Sequence, residues 1–260
     1  MPCGGGDIGL NVWVENGDVL FYFSRSGTFD ENNTLLKLGR IRLKLTPNPF
    51  EGETFHQELK LEEGCINIKG KNNNLSSDIK IWVDVFNPVI NIEVANNQAI
   101  QTEVYYENWR YQDRLLRKNE SNQNSYKWAA PKGLITKKDE TLYENDRIVF
   151  YHRNAEETVF DATVNQQGLS SVKDQIFNPL KNLTFGGYVE SKDLKPSDIS
   201  EGTYAGTDYK GWKMKSDKPL KKCNIQIKLH TAQVRNINEW KIELNKPVTS
   251  DPKKNIAWWK

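Results

Sequence analysis

The amino-acid sequence has 260 residues, enough for one large all-β domain or two ordinary domains with a buried core. Its 36 Lys and Arg residues nearly balance 34 Asp and Glu residues. The formal net charge of +2 is too small for the electrostatic footprint of a nucleic-acid or anionic-membrane binder. The sequence has no run of 18 apolar residues and does not open with a signal-peptide pattern. We therefore expect neither nucleic acid nor a membrane among its partners.

The cysteines and the aromatic residues point to different chemistries. Cys3, Cys65 and Cys223 share no CxxC spacing, so we expect no disulfide framework, no zinc site and no other cofactor. The chain is rich in aromatic residues and amides, with 8 Trp, 10 Tyr, 10 Phe and 27 Asn. Aromatic rings stack on the CH-rich faces of sugars, and amides bond sugar hydroxyls. The composition therefore favours a carbohydrate ligand.

Alternation of apolar and polar residues with period two predicts strands along most of the chain. The predicted strands cover residues 10–15, 18–24, 38–45, 54–61, 64–69, 79–85, 89–95, 101–107, 147–152, 183–190 and 223–229. Within the second of these, residues 21–23 are all aromatic and indicate a strand buried on both faces. So many short strands at close spacing predict an all-β fold, an antiparallel β-sandwich.

Turn and helix signals agree with a mostly antiparallel chain. Asn16-Gly17 between two predicted strands is typical of a type I′ hairpin. Residues 155–167, followed by Gly168, and residues 237–244 predict one or two short helices. Residues 119–138 and 192–222 are polar and lack sustained alternation, so they are predicted to be long surface loops.

A glycine-rich segment, residues 4–9, precedes the first predicted strand and requires either positive φ angles or close backbone approach. It is not a phosphate-binding loop, because such a loop joins a strand to a helix.

Seven segments, in this order, resemble the N-terminal domain of a bacterial family, the domain of unknown function family 5703. Proteins of that family are similar to glycoside hydrolase family 95 enzymes, which include α-L-fucosidases and α-galactosidases. The segments are residues 1–13, 18–24, 38–45, 106–110, 150–154, 167–169 and 178–187.

The resemblance implies a β-supersandwich that precedes an (α/α)6 barrel, with the catalytic acid and base in the barrel. Residues 1–248 would form the sandwich and residues 249–260 the start of the linker to the barrel. Trp258 and Trp259 would then lie at the interface between the two domains. A periplasmic or extracellular location is also implied by the resemblance, although this chain shows no signal peptide.

The candidate site residues come from three places in the sequence. Gly6, Asp7 and Asn11 belong to the glycine-rich segment and the strand after it, where the segment either approaches a sugar or the barrel or forms a tight turn inside the sandwich. Trp109 and Arg110 would provide a stacking ring beside a guanidinium; alternatively, Trp109 is a core residue and Arg110 is a snorkelling or salt-bridged partner.

His152, Arg153 and Asn154 end a predicted strand, where they would face a ligand or a neighbouring domain. Alternatively, Arg153 and Asn154 satisfy turn backbone groups. His56 and His230 are interpreted as surface or sheet-face residues, not metal ligands. No catalytic residue is nominated, because no local signature selects a pair of carboxylates among 34 acidic residues.

The leading hypothesis is a non-catalytic N-terminal β-sandwich that supports a catalytic barrel and lines its carbohydrate site. Two alternatives are a self-sufficient carbohydrate-binding module and a structural sandwich without ligand. Two or three exposed, coplanar aromatic rings on one sheet face would favour the module. An apolar patch around Trp258 and Trp259 without an open groove would favour a docking domain.

Overall fold

Antiparallel strands make up most of the chain in a computed structural model that describes residues 1–52, 54–117, 119–127 and 130–260. The strands are β1 (Pro2–Gly5), β2 (Ile8–Glu15), β3 (Asp18–Phe29), β4 (Leu35–Thr46), β5 (Thr54–Lys60), β6 (Cys65–Asn72), β7 (Leu75–Val83), β8 (Val89–Asn108), β9 (Arg114–Leu115), β10 (Ile135–Thr136), β11 (Glu140–Glu144), β12 (Arg147–Arg153), β13 (Leu183–Glu190), β14 (Lys195–Tyr204), β15 (Thr207–Lys215) and β16 (Leu220–Gln233). The helices are α1 (Val159–Gln166), α2 (Ile237–Leu244) and α3 (Pro252–Trp259), and short 3₁₀ segments cover Leu61–Glu63, Glu120–Gln123 and Ser170–Gln175.

The 20-residue strand β8 belongs to two sheets at once. Its C-terminal half pairs with β4 and β15, which gives a first sheet in the order β1-β2-β3-β4-β8-β15-β14. Its N-terminal half pairs with β7 and β16, which gives a second sheet in the order β5-β6-β7-β8-β16-β13-β12-β11. The predicted fold class, an antiparallel β-sandwich with a few short helices, is confirmed.

The core lies between the two sheets and is built from the inward residues of each alternating strand. Phe21 and Phe23 of β3 are about 1% exposed. Tyr106 of the first sheet stacks on Phe150 of the second, with ring centroids 4.2 Å apart and planes 16° apart. The buried Tyr106 hydroxyl donates a hydrogen bond to the Leu38 carbonyl at 2.7 Å, so the ring is fixed from both ends.

The predicted strands are present, with two differences. Residues 89–95 and 101–107, predicted as separate strands, form the continuous strand β8. The prediction of a loop over residues 192–222 was wrong, because β14 and β15 form a hairpin there. Most side chains of β14 are exposed, so this edge strand has no buried face to produce alternation in the sequence. The described part of residues 119–138 contains the 3₁₀ segment Glu120–Gln123 and β10, and residues 128 and 129 lie outside the described residues.

The predicted turns and helices are confirmed with small shifts. Asn16 and Gly17 have φ angles of 49° and 75°, as a type I′ hairpin requires. Helix α1 starts at Val159 because Thr158 caps it, and Gly168 follows with a φ angle of 69°. Helix α2 spans the predicted residues. No helix within the described ranges is long and apolar enough to cross a membrane.

The glycine-rich segment forms a tight β1–β2 hairpin that packs on the end of β7. Gly6 has a φ angle of 58°, and a Cβ added to Gly5 would lie 2.9 Å from the Val83 carbonyl oxygen. The side chain of Asp7 pairs with Arg25 at 2.8 Å. The glycines therefore allow a close turn inside the sandwich.

Replacement of Gly6 by Val should lower the free energy of unfolding by about 1 to 3 kcal/mol, because a β-branched residue is strained at positive φ. Chemical denaturation of both proteins measures this difference. Gly9→Ala is the matched control, since its Cβ would meet nothing closer than 3.9 Å and its φ is not positive. Unchanged stability of Gly6→Val would show that the turn does not constrain the domain.

Candidate functional site

A cleft of about 510 Å³ opens on the outer face of the first sheet, the face that points away from the core. Because side chains alternate along a strand, Tyr22 of β3 faces outward between the inward Phe21 and Phe23. Tyr22, Arg40, Trp109, Tyr204 and Tyr209 line the cleft. The volume lies within the range of small-molecule sites in proteins.

The aromatic rings of the cleft and its rim stand at angles to one another. Trp109 meets Tyr22 edge to face, with centroids 5.7 Å apart and planes at 82°. Trp13 of β2 extends the row, tilted by 37° against Tyr22 and by 38° against Tyr204. The rings form the walls of a groove, so the flat, coplanar platform that would mark a surface-binding module is not the arrangement found here.

A ladder of charged side chains crosses the same outer face. Glu107 of β8 accepts hydrogen bonds from Arg40 Nε at 2.5 Å and from Arg42 Nε at 2.7 Å. Arg42 also pairs with Asp18 at 2.9 Å. The Arg40 guanidinium lies over the Tyr204 ring, 3.8 Å from its centroid. These contacts fix the base of the cleft through cation–π and charge-assisted hydrogen bonds.

Behind the cleft lies a buried charge cluster of Arg110, Asp139, His152 and Glu31. Arg110 donates to Asp139 from Nε at 3.2 Å and from a terminal nitrogen at 2.5 Å. His152 contacts Asp139 through Nδ1 at 2.9 Å and Glu31 through Nε2 at 3.0 Å. Asn108 Nδ2 donates to Asp139 at 2.9 Å. The cluster joins strands β8 and β12 to the loops that follow β3 and β10.

The two carboxylates set the protonation of the histidine. Burial by itself would lower the pKa of His152, but hydrogen bonds and charge attraction from Asp139 and Glu31 raise it to about 9. Burial would likewise raise the pKa of Asp139 and of Glu31, and their cationic partners lower both instead. The cluster therefore holds two cations and two carboxylates at neutral pH.

Asp30 connects the cluster to the cleft, which it lines. One carboxyl oxygen accepts the backbone N–H groups of Asn32 at 3.0 Å and Thr34 at 2.7 Å, which closes the β3–β4 loop. Burial, with a smaller contribution from the Glu31 charge, raises the pKa of Asp30 to about 6. Asp30 is therefore part of the cleft wall and places a titratable carboxyl group there.

The structure brings two of the predicted site residues into the cleft. Trp109 is half-buried in its wall, so it is not a core residue. Arg110 is buried and salt-bridged, as the alternative interpretation proposed, and its guanidinium carbon lies 5.6 Å from the Trp109 ring centroid. His152 lies behind the cleft within the charge cluster.

Arg153 and Asn154 donate hydrogen bonds at the C-terminal end of β12. Arg153 donates to Thr184 Oγ1 at 2.7 Å and to carbonyls that include Val234 and Arg235. Asn154 Nδ2 donates to the Phe29 and Leu180 carbonyls at 3.0 Å and 3.2 Å. Both therefore satisfy turn and strand ends, the second of the two interpretations offered for them.

The N-terminal candidates lie outside the cleft lining. Gly6 and Asp7 form the β1–β2 turn. Asn11 is exposed, opposite Tyr22 in the β2–β3 register, and its Oδ1 accepts a hydrogen bond from the N-terminal amine at 3.3 Å. Asn11 thus shares the outer face of the first sheet with the aromatic row.

The two terminal tryptophans of α3 have different surroundings. Trp259 packs on Gly64, where a Cβ would collide with its indole ring, so this side chain contributes to contacts within the domain. Trp258 is 57% exposed. Asn255 of α3 is buried and accepts the Val85 backbone N–H at 2.9 Å, which fixes the helix to the sandwich.

Sequence reasoning missed several cleft residues: Tyr22, Lys37, Arg40, Tyr204 and Tyr209. The interpretation of residues 21–23 as buried on both faces was wrong for Tyr22, which strict alternation would have placed outward. Tyr204 and Tyr209 flank the hairpin turn at Ala205 and Gly206, inside the segment predicted as a loop.

The cysteines and histidines form no metal site in the described chain. Cys3, Cys65 and Cys223 are free thiols. Within the described ranges, no three His, Cys, Asp or Glu side chains are placed to hold a metal ion together. His56 is exposed and His230 is half-buried on its sheet face.

Two antiparallel sheets joined through one shared strand, with an aromatic cleft on an outer face, define a β-sandwich domain. The family model described as Domain of unknown function (DUF5703) matches residues 1–260, and the chain belongs to this family. Among solved structures, a putative kojibiose phosphorylase from the human microbiome is similar at 11% identity with a TM-score of 0.47. The match covers 99% of this chain and 35% of that protein, so the chain spans about a third of its length. A comparison with curated proteins found no match.

The charge cluster predicts a pH dependence of stability. The pKa of His152 is about 9 in the folded protein and near 6.5 when unfolded, so its stabilisation is complete below pH 6.5 and is lost as the pH rises through 9. The loss should be on the order of 3 kcal/mol, measured by denaturation between pH 6 and 10. His152→Gln should flatten this decline, whereas His56→Gln at an exposed site should not. An equal decline in His152→Gln would refute the assignment.

Proposed function

We propose that this chain is the non-catalytic β-sandwich domain of a bacterial glycoside hydrolase-like protein, and that its cleft binds carbohydrate. The proposal is carried by the position of Trp109, half-buried beside Tyr22 in a cleft that also presents guanidinium, amide and hydroxyl groups. Apolar sugar faces stack on such rings, while neighbouring polar groups bond the hydroxyls. The family resemblance supplies the link to glycoside hydrolases.

The carboxylates of the cleft support a non-catalytic role. Glycoside hydrolysis requires an acid and a second carboxylate roughly 5 to 10 Å apart across the sugar. Of the acidic residues that line the cleft, Glu120 is held by two 2.7 Å hydrogen bonds from Arg114, and Asp208 accepts the Thr203 hydroxyl at 2.6 Å. Asp30 caps its own loop. Each carboxylate therefore has a local structural task.

A catalytic helical barrel is the proposed partner within the same protein, in a periplasmic or extracellular setting. The exposed ring of Trp258, which lies edge to face against Trp259 on α3, is the surface that we propose for this contact. The sandwich would then buttress the barrel and bring its cleft towards the carbohydrate. This arrangement combines support and binding in one domain.

Trp109→Ala should weaken binding of the preferred oligosaccharide about tenfold, equal to about 1.4 kcal/mol, because the stacking ring is removed. Isothermal titration calorimetry against neutral and acidic hexasaccharides measures the change. Trp258→Ala is the matched control, since it removes an exposed Trp outside the cleft and should leave affinity in the isolated chain unchanged. Failure of every saccharide to bind, or equal affinity of Trp109→Ala, would reject the cleft as a sugar site.

The isolated chain should show no turnover of aryl glycosides, because the resemblance places the acid and base beyond this domain. A panel of α- and β-linked nitrophenyl glycosides at pH 5 to 8 tests this expectation. Turnover that survives repeated purification and disappears in Asp30→Asn would overturn the non-catalytic proposal and identify a catalytic carboxyl in the cleft.

A further inference from the structure

We propose that the cleft selects an anionic saccharide, whose carboxylate or sulfate group is bound between Arg40 and Lys37. This inference rests on the proposed carbohydrate-binding function and specifies its substrate class. A uronate carries a planar carboxylate on its sugar ring, and a sulfated sugar carries a tetrahedral sulfate ester. Both groups are oxyanions. Both present paired oxygens that a guanidinium can bind with two parallel hydrogen bonds.

The guanidinium of Arg40 is buried and has hydrogen-bond donors that are not used within the domain. It is 2% exposed, yet it lines the cleft. Its Nε is committed to Glu107, and among the described residues its two terminal nitrogens, Nη1 and Nη2, have no hydrogen-bond acceptor. These two nitrogens are not among the buried atoms that lack a partner, so they are open to the cleft, and a ligand that supplies acceptors there would gain charge-assisted hydrogen bonds.

The surroundings of Arg40 hold its fork in one orientation. The guanidinium lies 3.8 Å from the Tyr204 ring centroid on one side and 5.1 Å from that of Tyr209. Its bond to Glu107 prevents rotation about the end of the side chain. A preorganised guanidinium loses little conformational entropy when it binds an oxyanion, which distinguishes it from a flexible surface arginine.

A β-bulge brings Lys37 to the same face as Arg40. Residues three apart in a regular strand point to opposite faces, but here Phe23 pairs with Gly39 while Ser24 pairs with Lys37, so Leu38 is the extra residue. The Lys37 ammonium lies 4.5 Å from the Tyr22 ring centroid, and Arg40 lies 5.8 Å from the same centroid. One tyrosine therefore faces both cations.

The charges around the cleft leave these cations available. Glu107 is shared between Arg40 and Arg42, and Arg42 also engages Asp18. In the described part of the chain, Lys37 has no carboxylate within ion-pair distance.

The other charged groups at the cleft are either paired or lie on other walls. Arg114 pairs with Glu120, Asp208 lies on the β14–β15 hairpin, and Asp30 is bound by backbone amides. Arg117, in the segment after β9, also lines the cleft and has no ion pair among the described residues. Lys37 and the free guanidinium donors of Arg40 share one wall of the groove.

Calorimetry with matched saccharides tests the proposal. The probes are hexamers of galacturonate, of glucuronate and of the two alginate uronates, their fully methyl-esterified forms, a sulfated chondroitin hexasaccharide and a single-stranded DNA hexamer. We expect one free-acid or sulfated hexamer to bind at least tenfold more tightly than its uncharged counterpart. Raising the salt from 50 to 500 mM should weaken that binding several-fold, because partly exposed charge pairs are screened.

The variants separate the two cations. Lys37→Glu should weaken binding of the anionic hexamer at least tenfold, whereas Lys44→Glu, an identical change at an exposed position on the same strand, should not. Arg40→Lys keeps the charge but removes the fork and should also weaken binding. Because Lys37 is exposed, its variant remains informative if the Arg40 variant does not fold.

The outcomes distinguish this inference from the function on which it rests. Equal affinity for charged and esterified hexamers, lost in Trp109→Ala, would overturn the selectivity and leave carbohydrate binding intact. Binding of no saccharide would overturn both. Tighter binding of the DNA hexamer than of any saccharide, lost in Lys37→Glu, would assign the cations to nucleic acid and overturn the proposal as well.

Discussion

The architecture depends on one strand that serves two sheets. Because β8 runs for 20 residues, its first half hydrogen-bonds within the second sheet and its last half within the first. The inward Tyr106 near its end then stacks on Phe150 across the core. Glu107, the next residue of the strand, accepts hydrogen bonds from Arg40 and Arg42 on the outer face, and β8 ends at Asn108. A single backbone constraint therefore fixes both the sandwich and the base of the cleft.

The buried charge cluster holds in place loops that have little apolar surface of their own. Glu31 follows β3, Asp139 follows β10, and His152 bridges them from β12. Burying four charged groups is costly, and only complete pairing offsets the cost. Each member has a partner of opposite charge, and Lys137 N–H also donates to Glu31 at 2.9 Å. The cluster therefore holds the loops of the cleft wall in position, while the cost of burying its charges offsets much of the free energy gained by pairing them.

The cleft itself follows from a local defect in an otherwise regular strand. The bulge in β4 turns Lys37 outward beside Arg40, and Gly39 fits there because a Cβ would lie 2.5 Å from the Tyr106 ring. Gly39 thus links the packing of the core to the position of the cations on the outer face. The short β4 segment from Lys37 to Arg40 must satisfy both the packing of the interior and the binding chemistry of the surface.

The sequence alone determined the fold class, most strands, the Asn16-Gly17 hairpin and helix α2, because these depend on period-two burial and on local turn chemistry. It also placed Trp109 among the candidate residues. It could not find the β14–β15 hairpin, since an exposed edge strand leaves no alternation. Tertiary structure alone decided that Arg110 and His152 share one charge cluster and that Tyr22, Lys37 and Arg40 line one cleft. Those residues meet through strand pairing between distant segments and through a bulge, and neither has a signature in the local sequence.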